Sequence, residues 1–197
     1  GFEADDLIAT LARKGEAAGL RVVIVTGDKD TLQLVNKNVV VLNEHKGITF
    51  TEEAVEAKYG LRPHQLVDYF ALTGDASDNV PGVPGVGEKT AQALLSQYGS
   101  LDEVLAHAAE LKGKLAEKVA AGAEAARMSY RLATIRQDVP LPCALDDLKA
   151  RPPDREALRG VLSKYELLQM GRRLLGGDFV LAPQTAALET IATRPHN

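Results

Sequence analysis

The chain has 197 residues, of which 45% are hydrophobic and 25% are charged, as in an ordinary soluble globular protein. This composition excludes a chain that is disordered throughout, and the single cysteine, Cys143, excludes a disulfide framework and favours a reducing, cytoplasmic setting. The net charge of −4 lacks the basic excess that is typical of nucleic-acid-binding proteins. No apolar run approaches the roughly 18 residues of a membrane span, so we expect no membrane partner.

The first part of the chain alternates between helix and strand patterns. Leu7, Ile8 and Leu11 recur at helical spacing and predict a first helix that ends near Gly19. Apolar, β-branched runs then predict three strands, separated by a short helix over residues 31–35 and a turn over residues 43–47; the strands span residues 21–26, 39–42 and 48–50. The alternation favours a mostly parallel α/β sheet that is covered by helices.

After Thr51, a good helix cap, the chain is predicted to be mainly helical. The cap, proline and periodicity signals predict a helix that begins at Thr51, and others over residues 63–73, 88–97, from 100 onward, 114–135 and 152–175. Residues 138–145 contain Pro140 and Pro142, which allow only an edge strand or an extended segment. Residues 176–197 have no periodicity and are interpreted as a linker.

Acidic residues form three clusters in the first 80 residues. One cluster consists of Asp28 and Asp30, which directly follow a predicted buried strand, at the sheet edge where open α/β proteins place their sites. Each cluster alone has an ordinary explanation, because acids favour helix N-termini and turns. The complete set contains seven carboxylates, namely Glu3, Asp5, Asp6, Asp28, Asp30, Asp75 and Asp78.

Seven converging carboxylates would repel one another strongly unless cations lay among them. No histidine or cysteine lies near any cluster, and all-oxygen ligands select hard ions such as Mg²⁺ or Mn²⁺. Two such ions about 3.5–4 Å apart can clamp the attacking and leaving oxygens of a phosphodiester. If the seven carboxylates serve metal ions, the remaining balance of the chain is positive, and a nucleic-acid substrate becomes compatible with the net charge.

A glycine-rich segment over residues 74–90 is the second unusual feature. Gly82, Gly85 and Gly87 let a backbone approach a ligand closely, and they precede a predicted helix whose N–H groups and Lys89 could hold a phosphate. The spacing is not that of a Walker loop. A tight connection between two helices, without any ligand, explains the segment equally well.

Four motifs identify a family resemblance: EADD at residues 3–6, TGDKD at 26–30, GDASDNVPGV at 74–83 and GVGEKTA at 85–91. In this order and spacing they resemble the 5′-nuclease, flap endonuclease-like domains of bacterial DNA polymerases I. The resemblance extends to about residue 175. It implies an α/β fold with a Rossmann-like, PIN-type parallel sheet, incomplete at the front, and a helical helix–three-turn–helix DNA-binding region.

By position, the resemblance implies that all seven carboxylates bind two or more Mg²⁺ or Mn²⁺ ions. It assigns catalytic roles to Asp28, Asp30, Asp75 and Asp78. It assigns DNA binding to the hairpin that contains Gly82, Gly85, Gly87, Lys89 and Thr90, with K⁺ held by hairpin carbonyls. The implied activity is a 5′-3′ exonuclease and flap endonuclease that acts on 5′ flaps and nicked or branched duplexes in replication and repair.

The resemblance also predicts a division of the chain. Residues 1–73 would be the C-terminal part of the nuclease core, residues 74–137 the DNA-binding region, residues 138–175 a closing segment and helix, and residues 176–197 a linker. In the full-length protein, which we expect in the bacterial cytoplasm at the nucleoid, a polymerase domain would follow.

The sequence departs from this family at its front. The family's first strand with its aspartate, the next aspartate and the basic helical arch are missing, and the chain begins at Gly1 rather than at a methionine. These features predict an N-terminally truncated fragment. Two interpretations stay open: a nuclease, or part of one completed elsewhere, and a catalytically incompetent fragment that only binds branched or duplex DNA.

Overall fold

The computed structural model describes residues 1–181, so most of the linker predicted over residues 176–197 lies outside the described residues. The chain divides into two compact units, Gly1–Asp147 and Leu148–Asn197. No helix in the described part of the chain is long and apolar enough to cross a bilayer.

The first unit opens with the small sheet that the sequence predicts. Helix α1 spans Ala4–Ala17, and the strands are β1 (Val22–Val25), β2 (Val39–Asn43) and β3 (Ile48–Phe50). β1 pairs with β2 in parallel, with Val22 opposite Val39, and β2 pairs with β3 antiparallel, with Val41 opposite Phe50. β2 is therefore central, and its alternating burial places Val39 and Val41 in the core.

The helices of the first unit follow in chain order. They are α2 (Glu52–Tyr59), α3 (Leu66–Thr73), α4 (Glu88–Tyr98), α5 (Leu101–Ala106), α6 (Lys114–Ala121) and α7 (Ala123–Ala133). α3 is buried almost along its whole length and packs against α4 and α7. Thr51 and Ser100 cap α2 and α5 by accepting the N–H groups of Ala54 and Glu103, as their sequence positions predict.

The long helix predicted over residues 114–135 is wrong, because the chain forms two helices, α6 and α7, that meet at Gly122. Glycine is a poor helix former, so the alanine-rich pattern does not hold the helix together at this residue. A Cβ at Gly122 would also lie 2.7 Å from Cγ1 of Val83, so the absent side chain leaves room for the buried hairpin valine.

The segment after α7 forms no strand within the described residues, which leaves the extended alternative; its prolines remove the donors that a strand needs. A single 3₁₀ turn follows at Leu145–Leu148. The start of the segment is anchored by side chains from far away in sequence. The N–H of Val139 donates to Thr10 Oγ1 at 3.1 Å, and Gln33 bonds both the Ala133 carbonyl and the Ile135 N–H.

The second unit contains α8 (Arg155–Lys164) and α9 (Leu168–Leu175). The continuous helix predicted over residues 152–175 is therefore wrong. The break is at Glu166, whose φ of +56° is incompatible with a right-handed helix. α8 begins at the predicted acidic turn, where the Asp154 carboxylate accepts the N–H groups of Glu156 and Ala157.

Buried hydrogen bonds fix the middle of the glycine-rich segment, at Gly82 and Val83, against α3 and α7. Gly82 has φ of +63°, its N–H donates to the buried Ser129 Oγ at 2.9 Å, and the next N–H, of Val83, donates to the Leu72 carbonyl at 2.8 Å. A Cβ at residue 82 would collide with the backbone of Thr73 and Gly74. The chain can turn here only with glycine.

We therefore expect Gly82→Ala to lower the free energy of unfolding by at least about 2 kcal/mol, since it combines a left-handed alanine with a backbone clash. Denaturant unfolding measures the change. Gly87→Ser is the matched control in the same segment, because residue 87 has φ of −99° and an open Cβ position. Equal stability of the two variants would show that Gly82 is not a constrained turn.

Candidate metal centre and DNA-binding hairpin

The loop that follows β1 positions Asp28 and Asp30 by local hydrogen bonds. The N–H of Asp28 donates to Thr26 Oγ1 at 3.1 Å, and Asp28 Oδ1 accepts the N–H of Asp30 at 2.9 Å. The Thr31 hydroxyl closes the loop by donating to the Asp28 carbonyl at 2.8 Å. A short β-strand followed by an aspartate turn therefore presents two carboxylates at the C-terminal edge of the sheet.

A second loop, at the end of α3, presents Asp75 and Asp78. The backbones of Asp75 and Val80 form an antiparallel bridge with two 2.8 Å hydrogen bonds, and Asn79 turns the loop with φ of +55°. Asp75 Oδ1 accepts the N–H of Ser77 at 3.0 Å and its hydroxyl at 2.5 Å. These hydrogen bonds within the loop fix its conformation without a ligand.

The two loops bring three carboxylates together. Oxygens of Asp30, Asp75 and Asp78 lie within 4.8 Å of one another, and residues 1–181 contain no second such group. The Lys29 ammonium lies among them, 2.5 Å from Asp75 Oδ2. The buried Oδ2 is thus ion-paired with Lys29, and the same ammonium donates to Ser77 Oγ at 3.3 Å.

The electrostatics of this cluster follow from burial and proximity. Burial, reinforced by repulsion from Asp28, Asp75 and Asp78, raises the pKa of Asp30 to about 6. Burial acts in the same direction on Asp75, but Lys29 and Ser77 outweigh it and hold the pKa of Asp75 below its usual value. The same contact raises the pKa of Lys29. A cation among these carboxylates is therefore energetically favoured.

The acidic residues at the start of α1 have two different roles. Asp5 lies close enough to the loops for its pKa to be raised, mainly by partial burial and then by repulsion from neighbouring carboxylates, with Asp28 first and Asp78 also included. Asp6 instead uses both oxygens for backbone N–H groups, those of Glu3 at 3.2 Å and Arg136 at 2.8 Å. Glu3 is exposed at the cap of α1.

Three of the seven predicted ligands, Asp30, Asp75 and Asp78, therefore form one cluster. Asp28 and Asp5 interact electrostatically with members of this cluster. Glu3 and Asp6 lie beside it, and the contacts of Asp6 are those of a helix cap and a backbone anchor. The donor set is all carboxylate, and the ammonium on Asp75 Oδ2 shows that a positive charge is accommodated there. These properties fit a hard divalent cation.

The predicted hairpin forms a turn at the start of α4. Gly82 and Gly85 have positive φ, and the buried Val83 and Val86 anchor the turn. The backbone N–H groups of Gly87, Glu88 and Lys89 donate to no acceptor within residues 1–181, and the Lys89 side chain is exposed. The N–H of Thr90 donates to the Gly87 carbonyl. The start of α4 can therefore bind an anion such as phosphate.

Sequence reasoning missed two partners of these sites. Lys118 donates to the Gly85 carbonyl at 3.2 Å, and Ser129 holds the N–H of Gly82. Both lie on α6 or α7, at least 33 residues from their partners, where no local pattern points to them. Lys29 stood inside a recognised motif, but its neighbours in sequence do not show that its ammonium contacts Asp75.

The pKa of Asp30 predicts a pH-dependent stability of the metal-free protein. Because the folded pKa, about 6, is above the ordinary value of 3.8, the native state binds the extra proton, and its stability falls as pH rises from about 4 to 6. Asp30→Asn should remove this fall and stabilise the protein at pH 7 by on the order of 1–2 kcal/mol, since solvent screens a half-buried carboxylate. Urea unfolding in EDTA between pH 4.5 and 8 measures both curves; parallel curves would contradict the prediction.

Two family profiles match consecutive parts of the chain. Residues 1–60 match the 5′-3′ exonuclease N-terminal resolvase-like domain, and residues 61–156 match the 5′-3′ exonuclease C-terminal SAM fold. Together they cover both the carboxylate cluster and the hairpin.

Among curated proteins, the chain is similar to DNA polymerases I. It is 49% identical to that of Bacillus caldotenax over 160 residues, 79% of this chain and 18% of that protein. It is 47% identical to the thermostable DNA polymerase I of Thermus aquaticus over 166 residues, 84% of this chain and 20% of that protein. The chain spans about a fifth of the length of these relatives.

Solved structures show the same fold at lower identity. Zinc-bound bacteriophage T5 5′-exonuclease superimposes with a TM-score of 0.63 at 21% identity, covering 68% of this chain and 50% of that one. The catalytic core of Rad2 in complex with DNA gives 0.52 at 16% identity, covering 88% of this chain and 61% of that one. By its sequence profiles, its relatives and its fold, the chain belongs to the 5′-3′ exonuclease family.

Proposed function

We propose that this chain is the metal-binding and DNA-binding part of a nuclease that hydrolyses phosphodiesters at DNA 5′ ends and flaps. The observation that carries the proposal is the convergence of three carboxylates, from two separate loops, around one lysine ammonium. Family membership supports the same function, because the matched profiles are those of 5′-3′ exonucleases. The reaction class is metal-assisted phosphodiester hydrolysis without a covalent enzyme intermediate.

Asp30, Asp75 and Asp78 would hold the first cation, and Asp5 and Asp28 would share a second. We propose Mg²⁺ or Mn²⁺, with Glu3 and Asp6 as outer residues. When bound, two such ions supply an activated water and neutralise charge at the phosphodiester. Lys29 then has a second role, since its ammonium is already at the cluster and can donate to a phosphate oxygen once a cation replaces it at Asp75.

The hairpin would hold the DNA backbone. The N–H groups of Gly87, Glu88 and Lys89 and the Lys89 ammonium are phosphate donors, and none of them reads a base edge, so binding would be independent of sequence. We also propose a K⁺ ion on hairpin carbonyls. At Gly85 this ion would have to replace Lys118, whose ammonium contacts that carbonyl.

We propose 5′ flaps and nicked or branched duplexes as the DNA partners, in replication and repair, within a bacterial nucleoid. The relatives are DNA polymerases I that extend far beyond the matched fifth, which supports a polymerase domain in the same full-length protein. The proposed division of the chain, with a nuclease core over residues 1–73 and a DNA-binding region over residues 74–137, assigns the two sites to different regions.

A second candidate function is DNA binding without cleavage. β1 lies at an edge of the described sheet, and its Val23 and Val25 are 54% and 61% exposed. Parallel strands are normally covered on both faces, so the described residues do not complete the sheet that carries Asp28. This uncovered face favours the interpretation that the chain binds DNA but needs further residues to cleave it.

The metal centre can be tested by thermal unfolding. At about 100 times the dissociation constant, Mg²⁺ or Mn²⁺ stabilises the native state by about 2.7 kcal/mol, which raises the melting temperature by about 5–10 °C. Asp75→Ala with Asp78→Ala should abolish the rise, whereas Glu44→Ala with Glu110→Ala, two exposed carboxylates elsewhere, should not. Lys29→Met should enlarge it, because the ammonium no longer competes for Asp75. An undiminished rise in the Asp75/Asp78 double variant would refute the centre.

Binding and cutting are separated by measuring both on one 5′-flap duplex. We expect the chain to bind the flap in Ca²⁺, and any cleavage in Mg²⁺ or Mn²⁺ to disappear in EDTA and in Asp28→Ala. Cleavage that depends on Asp28 supports the nuclease for this chain alone. Binding with no cleavage supports the second candidate, and the absence of both contradicts the proposed function.

A further inference from the structure

A cavity of about 790 Å³ opens directly beside the carboxylate cluster, and we call it the lysine cavity. It lies between the C-terminal edge of β1 and β2, strand β3 and helix α2. One wall carries Asp28 and Asp78, and the lining also includes Lys46, Lys58, Ile48 and Phe50. Its volume is within the roughly 300–1,000 Å³ of typical small-ligand sites.

Three lysines line this cavity; Lys29 pairs with Asp75, whereas Lys46 and Lys58 are not neutralised by a carboxylate. The turn of Lys46 is fixed by its N–H, which donates at 3.0 Å to Oδ1 of the buried Asn43. The Lys58 ammonium lies 5.2 Å from the ring centroid of Phe50 and 4.9 Å from that of Tyr59. Neither ammonium has a carboxylate within 4.0 Å in the described part of the chain. Both are therefore available to an anionic ligand.

The remaining lining of the cavity is largely apolar. Leu32 and Val41 form buried lining, Ile48 is 43% exposed, and Phe50 contributes an aromatic ring. A simple anion would leave this surface in contact with water. A nucleotide unit fits both parts, because its phosphate pairs with ammonium groups while its base and sugar cover apolar and aromatic surface.

We propose that the lysine cavity holds the nucleotide next to the scissile phosphate, with a phosphate group on Lys46 and Lys58. The inference rests on the proposed function, since the neighbouring Asp28 and Asp78 would then hold the ions that face the scissile bond. The bound phosphate is an internal phosphodiester or a terminal 5′-monophosphate, which present the same anionic oxygens. The cavity thus lets one strand contact the metal centre and an adjacent basic wall together.

The test is equilibrium binding of a labelled 5′-flap duplex to the full chain in Ca²⁺. Lys46→Ala and Lys58→Met should each weaken binding about tenfold, as expected for loss of a charge-assisted hydrogen bond. The double variant should reduce the slope of log affinity against log salt by about one, because both lysines contact the same phosphate. Lys14→Ala with Lys37→Ala is the matched control, because Lys37 precedes β2 as Lys46 follows it, and both control lysines are exposed.

Lys58→Arg keeps the charge and the ring contact, so it should bind like the parent, while melting temperatures identify any variant that is merely unfolded. A loss confined to 5′-phosphorylated duplexes identifies the terminal phosphate, and an equal loss with 5′-hydroxyl duplexes identifies an internal one. If the folded cavity variants bind as tightly as the control pair, the inference is overturned and the proposed function stands. If the parent binds no duplex, both are overturned.

Discussion

Repulsion between carboxylates is the constraint on which this structure depends. Burial, together with repulsion from Asp28, Asp75 and Asp78, raises the pKa of Asp30 to about 6, and burial with repulsion from Asp28 raises the pKa of Asp5. The fold accommodates the repulsion with a lysine ammonium at Asp75 and with two loops that are closed by their own hydrogen bonds. The loops hold the charges in place without a ligand. The free energy of binding a divalent ion is therefore not spent on ordering the backbone.

Helix α3 connects the two candidate sites of the first unit. Its C-terminal end leads into the Asp75 loop, and its Leu72 carbonyl accepts the N–H of Val83 at the start of the hairpin. Because α3 is buried between α4 and α7, the carboxylates and the glycine-rich turn share one support. A phosphodiester strand that contacts both would meet donors whose spacing is set by packing rather than by flexible loops.

Positive charge is distributed locally rather than globally in this protein. The net charge is −4, yet Lys29 contacts the acidic cluster, Lys46 and Lys58 line the adjacent cavity, and Lys89 and Lys118 lie at the hairpin. With the carboxylates occupied by cations, the remaining field around the sites is positive. A chain can therefore bind a polyanion without an overall basic composition, because the field at short range depends on neighbouring groups and is screened beyond about 10 Å.

The sequence by itself determined the three strands, the capped helices α2 and α5, the acidic clusters and the glycine-rich hairpin, since strand alternation, caps and motifs are encoded by neighbouring residues. It did not determine the breaks at Gly122 and Glu166, where one residue interrupts a favourable helical pattern. Only the tertiary structure placed Lys29 on Asp75, turned Asp6 toward the backbone of Arg136, and brought Lys118 and Ser129 to the hairpin. All of these contacts join residues at least 33 positions apart, so the packing of distant helices and loops decides them.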